Sequence, residues 1–280
     1  MQLKTIIKKF KKSAPIIVIG DPITDKYIFT ETSRVSQEAP VLIVKKLRTE
    51  YRDGGALNVC NNIWELGGKS MYVHKIANNL KSVKTRVIAN NQQLLRIDND
   101  YIIKLSNDEN NKIIDDIKYM YQKYHSRIII ISDYAKGIIS QELFTKIINL
   151  TNTYQNLKVI IDPNTKHIKW YKHLKGLKNI IMVPNLKEYN AGCKGSETLV
   201  ITKGSEGIEI VSNGKRKCIS SVKKQVSDIT GAGDTLTAVL GLCLNIGFNL
   251  EKSAKIANRA AGIVVAKFGT STITKKEFIE

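Results

Sequence analysis

The residues Asp228-Ile229-Thr230-Gly231-Ala232-Gly233-Asp234-Thr235 run directly into an apolar stretch at 236–244. Gly231 and Gly233 flank one small residue, so backbone N–H groups there are open to close approach. The apolar stretch predicts a helix, which puts those N–H groups at its start, unpaired and at the positive end of its dipole. An oxyanion such as a phosphate suits that cradle. Asp234 follows at once, a carboxylate able to take the proton of a group attacking the phosphate. The same residues also suit a plain glycine turn before a core helix, with Asp234 as a first-turn carboxylate. A second constellation follows the short apolar run 16–19, where Asp21 and Asp25 offer two carboxylates to sugar hydroxyls or cap a turn. A third is Gly54-Gly55-Ala56-Leu57-Asn58, in which a glycine pair opens a helix and Asn58 adds a donor and an acceptor one turn in.

These groups need a frame that brings them together. Short β-branched runs at 16–19, 71–76, 127–131, 158–161, 180–183 and 198–201 predict strands, and 207–211 and 215–219 a further pair. Helical periodicity marks 56–66, 108–124, 142–150, 231–246, 250–267 and 275–279. Strands alternating with helices predict an α/β fold with a central, mostly parallel sheet covered on both faces. Ligands of such sheets bind beyond the C-terminal ends of the strands. Asp21, Asp25, Asp133, Asp162, Asn185, Glu188 and Thr202 all follow apolar runs and can converge on that edge. The segments 27–47 and 83–98 read as β excursions from the main sheet, the first a hairpin interrupted by polar residues at 30–38. No repeat or low-complexity linker divides the chain, so one domain is expected over 1–280.

A chain of 280 residues, 42% hydrophobic, is long enough for one sizeable core. No apolar run approaches the length of a membrane span. The Lys-rich start at 1–12 reads as a basic lead-in to the first strand, since the apolar run after it is too short for a signal peptide. The four cysteines are scattered without a C-x-x-C, as free thiols of a reducing, cytoplasmic compartment would be. A formal charge of +19 raises the question of nucleic acid. The lysines are spread along the chain among Asn and Ile, and no RNA-binding, zinc-finger or helix-turn-helix pattern accompanies them. Neither nucleic acid nor membrane is therefore expected as a partner, and an anionic small substrate is compatible with the charge.

The octamer 228–235 resembles the signature of the ribokinase-like (PfkB) sugar kinases. Gly54, Gly55 and Asn58, then Asn185-Leu186-Lys187-Glu188, then the octamer occur in that family's order. Within it the chain is similar to kinases that phosphorylate D-glycero-β-D-manno-heptose 7-phosphate at the anomeric hydroxyl. The segments 32–41, 84–87, 91–98, 132–137 and 268–272 carry this likeness. The resemblance implies a ribokinase-like three-layer sandwich with a small β lid at 27–47 and 83–98. It implies ATP and Mg²⁺, with Asp234 as base and Gly231, Ala232 and Gly233 as anion cradle. Asn185 and Glu188 would hold Mg²⁺ through water, and Leu186 and Lys187 lie between them. Thr202, Gly204 and Asn258 would line the nucleotide, though a strand cap and an ordinary helix Asn fit as well. Asp25, Gly54, Gly55 and Asn58 would grip the sugar. Lys84 and Arg86 would meet its distal phosphate, or stand as exposed lid charges, and Asp133 and Lys136 would face the cleft. Gln92 and Gln93 mark a lid turn or a homodimer contact. The chain is shorter than the family pattern between 71 and 83 and again after 190. No nucleotidylyltransferase half follows, so the kinase step alone is expected. A kinase of another sugar or nucleoside, or a non-catalytic binding protein, remains an alternative.

Overall fold

The computed structural model describes residues 3–73, 81–90, 92–221 and 227–280. Its strands are β1 (Ile16–Gly20), β2 (Pro22–Val35), β3 (Leu42–Gly55), β4 (Ser70–Tyr72), β5 (Ser82–Ala89), β6 (Gln92–Asn99), β7 (Ile128–Ser132), β8 (Lys158–Asp162), β9 (Ile180–Met182), β10 (Thr198–Thr202), β11 (Ile208–Ser212) and β12 (Lys215–Ile219). Its helices are α1 (Leu3–Lys12), α2 (Ala56–Glu65), α3 (Asn107–Tyr124), α4 (Gln141–Thr153), α5 (Ile168–Tyr171), α6 (Leu186–Ala191), α7 (Ala232–Asn245), α8 (Leu250–Val264) and α9 (Lys275–Ile279). The later part of the strand expected at 71–76, and Asn91 of the turn before β6, lie outside the described residues.

The main sheet has 8 strands in the order β12-β11-β10-β9-β8-β7-β1-β4. β4, β1, β7, β8, β9 and β10 run parallel, and β11 and β12 add an antiparallel edge. Its central strands are apolar at nearly every position because both faces are covered. Ile16 and Val18 join Ile128, Ile130 and Ile160 under α2, α7 and α8. Ile17 and Ile19 join Ile129, Ile131 and Ile161 under α3 and α4. The two-residue period of a strand thus feeds two separate cores from one run of isoleucines.

Helix starts follow their local chemistry. Ser106 and Glu109 form a capping box at α3, and Ser140 and Asn249 cap α4 and α8. The lysine-rich start proves to be helix α1 rather than a lead-in. Ile6 and Phe10 recur at helical spacing and are buried, Phe10 against Phe278 with ring centroids 6.1 Å apart, while the lysines take the other face.

A second sheet of 4 strands, β3-β2-β5-β6, stands off the first. β2 and β3 are longer than the excursion expected at 27–47, and the polar residues 30–35 are strand. Their antiparallel register runs from Pro22↔Gly55 to Val35↔Leu42, so cross-strand pairing overrides composition. This sheet grows from the main one at Asp21 and returns at Gly55, where Ala56 N–H donates to the Asp21 carbonyl at 3.1 Å.

Asp21 also settles the loop after β7. Its buried carboxylate accepts the N–H groups of Tyr134 and Lys136 at 2.9 and 3.0 Å on Oδ2, and of Ile138 at 3.0 Å on Oδ1. Asp21→Ala strands three donors, each costing on the order of 1–3 kcal/mol when buried and unpaired. Its expected loss of stability is roughly 3–5 kcal/mol in urea denaturation. Asp21→Asn, which keeps an acceptor oxygen, should lose less.

Candidate active site

α7 begins at Gly231, whose φ of 83° is left-handed, and a Cβ there would lie 2.9 Å from Asn58 Nδ2. Glycine is required on both counts. Ala232 N–H bonds the Ile229 carbonyl at 3.3 Å, so it is not free as the motif implied. The N–H groups of Gly233 and Asp234 have no partner among the described residues, and a Cβ on Gly233 would meet nothing within 4 Å. The open cradle is therefore Gly233 and Asp234.

Asp234 is 4% exposed. Its Oδ2 accepts Asn58 Nδ2 at 2.8 Å and its Oδ1 accepts the Tyr134 hydroxyl at 2.9 Å. Burial pushes the carboxyl pKa up, the two hydrogen bonds pull it back, and the balance lies at about 6. Asn58 is supplied by the first turn of α2. One turn on, Asn62 locks α2 to α7: its Nδ2 donates to the Asn58 carbonyl at 2.8 Å, and its Oδ1 accepts Thr235 Oγ1 at 3.0 Å and Ile273 N–H at 3.2 Å. Tyr134 and Asn62 had been assigned no role from sequence. The i, i+4 spacing of two asparagines was the available signal for Asn62.

Asp25 lies in β2 beside the same cleft, 4% exposed. It is ion-paired with Arg86 and accepts Thr270 Oγ1 at 2.6 Å. Gly54 makes this possible, since a Cβ there would fall 2.4 Å from Asp25 Oδ2. Gly55 is the residue before α2. Thr270 belongs to the loop 268–272, which Arg52 pins through the carbonyls of Phe268 and Thr270 at 2.7 and 3.1 Å. Arg86, expected to face a distal phosphate, is thus turned inward in β5. Lys84 remains half-buried, its Nζ 5.6 Å from the centre of the Tyr134 ring, and burial pushes its ammonium pKa down. Lys136 is ion-paired with Asp100. Asp133 turns away to Ala135 N–H, His167 and Tyr171.

On the other side, Asn185 and Glu188 form a capping box on α6: Glu188 Oε2 accepts Asn185 N–H at 2.8 Å and Asn185 Oδ1 accepts Glu188 N–H at 2.9 Å. Leu186 and Lys187 open that helix and are exposed. Thr202 ends β10 and bridges to Asn185. Gly204 follows with open space around it. Asn258 is drawn inward, its Nδ2 donating to the Ser220 carbonyl at 3.0 Å. Asp162, one of the residues expected at the sheet edge, ends β8. Burial raises its pKa well above the usual range, reinforced by Glu188, Asp234 and Asp133, and burial also raises that of Glu188. Two crowded carboxylates are a hard-oxygen environment that a divalent cation would relieve. Among the described residues no three His, Cys, Asp or Glu are grouped to bind a metal directly.

Residues 183–277 match the family described as pfkB family carbohydrate kinase. The chain is 31% identical to the bifunctional protein HldE of Geobacter sulfurreducens, over 100% of this chain and 65% of that protein. It is 32% identical to the bifunctional protein HldE of Aliarcobacter butzleri, over 96% of this chain and 64% of that one. It therefore spans just under two thirds of these relatives. Escherichia coli phosphofructokinase-2 in complex with substrates and products superposes with a TM-score of 0.74 at 16% identity, covering 95% of this chain and 97% of that one. Arabidopsis thaliana ribokinase complexed with ribose and ATP gives 0.69 at 16%, covering 95% and 98%. The fold is ribokinase-like, and the chain belongs to the pfkB family of carbohydrate kinases.

Proposed function

We propose that the protein transfers the terminal phosphoryl group of ATP to a sugar hydroxyl, and that the sugar is D-glycero-β-D-manno-heptose 7-phosphate, attacked at its anomeric oxygen. The observation that carries the reading is Asp234, a buried carboxyl with a pKa of about 6 beside two unpaired N–H groups at a helix start. A base is most effective with a pKa near the working pH. As the sugar oxygen bonds to phosphorus and ADP leaves, the hydroxyl proton passes to Asp234. The N–H groups of Gly233 and Asp234 stabilise charge on the transferred group, each donor of this kind being worth about 3 kcal/mol of barrier. Asn58 and Tyr134 orient the carboxylate. Asp25, with Arg86 behind it, faces the sugar, and Lys84 and Lys136 offer charge to its distal phosphate. Asn185 and Glu188 would hold Mg²⁺ through water, with Asp162 nearby; the ion would neutralise triphosphate charge. Thr202, Gly204 and α8 flank the nucleotide. ATP supply and free thiols support a cytoplasmic location for the reaction.

The motif likeness to heptose kinases and the identity to HldE proteins support this choice of sugar. The small sheet acts as a lid in this reading, and it joins two copies. Val35, Leu42, Leu47, Leu95 and Ile97 are 58%, 51%, 56%, 48% and 51% exposed on its strands β2, β3 and β6. Pairing these residues with their counterparts in a second copy buries them without another partner.

ADP release with Mg-ATP and a panel of sugar phosphates should show turnover on the heptose 7-phosphate, and Asp234→Asn should lower kcat by about 10²–10⁴-fold while ATP still binds. ATP binding without turnover on any sugar overturns the kinase reading. The log of kcat/KM should fall below a pH of about 6, where the base becomes protonated. Because the Tyr134 hydroxyl bond lowers the Asp234 pKa, Tyr134→Phe should move that limb to higher pH, by roughly one unit; an unmoved limb removes Tyr134 from that role. Sedimentation should show a dimer, and Leu42→Glu with Leu47→Glu a monomer; an unchanged sedimentation coefficient excludes this face.

A further inference from the structure

An oriented imidazole stands outside the machinery described so far. His167 lies in the first 3-10 turn after β8, with Nδ1 2.6 Å from Asp133 Oδ2. The Tyr171 hydroxyl donates to the same oxygen at 2.8 Å and itself accepts Asn164 N–H at 3.0 Å. Ala135 N–H donates to Asp133 Oδ1 at 2.8 Å. The Asp133 side chain is 1% exposed. The His167 ring lies on Trp170 with centroids 3.6 Å apart and planes 12° from parallel. A carboxylate at Nδ1 fixes which nitrogen keeps its proton, and the stack fixes the tilt of the ring.

Nε2 is what remains. Among the described residues it has no hydrogen-bond partner, yet it is not one of the buried side-chain atoms left unsatisfied. With the side chain 16% exposed, Nε2 is therefore the edge that meets solvent. A structural staple did not need it, because Tyr171 and Ala135 already bond both oxygens of Asp133. The ring adds one fixed nitrogen at the C-terminal edge of the sheet, among the loops that follow β7, β8 and β9. Lys166 precedes it, and Lys166, Lys136 and Lys84 all act on Asp100, so three ammonium groups lie on this flank. On its other flank Asp133 is close enough to Asp162 and Glu188 to perturb both. The ring's carboxylate partner thus neighbours groups assigned to the nucleotide, and Lys166 beside the ring neighbours those assigned to the sugar phosphate.

The geometry points to His167 as a phosphate-binding residue of the cleft, held by Asp133 and Trp170 so that Nε2–H donates to a phosphate oxygen. The inference rests on the kinase reading for the identity of that phosphate, which belongs either to the sugar phosphate or to the nucleotide. Asp133 is then a positioning residue.

The chain has four histidines, which makes imidazole ¹⁵N spectra of the intact protein simple to read. Inorganic phosphate titrated into the wild-type protein should move one Nε2 signal, assigned by its contact with the Trp170 ring and absent in His167→Gln. This titration reads phosphate binding whether or not any sugar turns over, so its failure is distinct from failure of the kinase reading. In steady-state kinetics His167→Gln should raise one KM roughly 10- to 100-fold, the worth of a charge-assisted hydrogen bond, with kcat within about threefold. A rise confined to the sugar phosphate assigns its distal phosphate, and a rise confined to ATP assigns the nucleotide. A His167 signal indifferent to phosphate, or a variant that loses thermal stability while both KM values hold, reduces His167 to a staple and overturns the proposal.

Discussion

One buried carboxylate, Asp21, holds the site in register. β1 and β7 are parallel neighbours, so their C-terminal ends lie side by side, and Asp21 reaches across to three N–H groups of the loop after β7. Burial raises its pKa and those three bonds oppose the rise. The loop so fixed sends its residues in different directions. Tyr134 reaches Asp234, Lys136 meets Asp100, and Asp133 turns back to Tyr171 and His167. A loop without such an anchor would have to be held by each of those contacts separately.

The same opposition of burial and hydrogen bonding sets the chemistry of Asp234. In water its carboxyl would be too weak a base, and in a dry pocket without donors it would stay protonated at neutral pH. Asn58 and Tyr134 bring it between these limits, to about 6. The donors come from α2 and from the loop after β7, and the carboxyl from α7. Packing of α2 against α7, stitched by Asn62 and Thr235, therefore helps to set the Asp234 pKa and is not only part of the core.

The small sheet shows what a charge in a strand can be for. Arg86 and Asp25 are both nearly inaccessible, and each would be costly there alone. Together, with Thr270, they tie β2 and β5 to the loop before α9. The positive charge that the segment 84–87 advertises is spent inside the protein at Arg86, and Lys84 is left beside Tyr134.

The alternation of apolar runs and helical periods was enough for the α/β class, the mostly parallel sheet and the glycine-bounded start of α7, because those depend on local steric and hydrophobic preferences. It was not enough for α1, whose lysines masked an apolar stripe, nor for the reach of β2 and β3, which long-range pairing extends through polar residues. In the site, Gly54, Gly55 and Gly231 were legible because close backbone approach demands glycine there, and 185–188 stood out only through the family resemblance. Their partners were not: Tyr134, Thr270 and His167 act on groups far away in sequence with nothing near them to announce it, and Asn62 is signalled only by its spacing from Asn58. The sequence by itself determined where a glycine-bounded helix start and a carboxylate fall together. Only the tertiary structure decided that Asp234 is buried and twice hydrogen-bonded, that Arg86 faces Asp25, and that the Gly233 and Asp234 amides are the free ones, because pKa, pairing and exposure are properties of neighbours that the fold alone brings together.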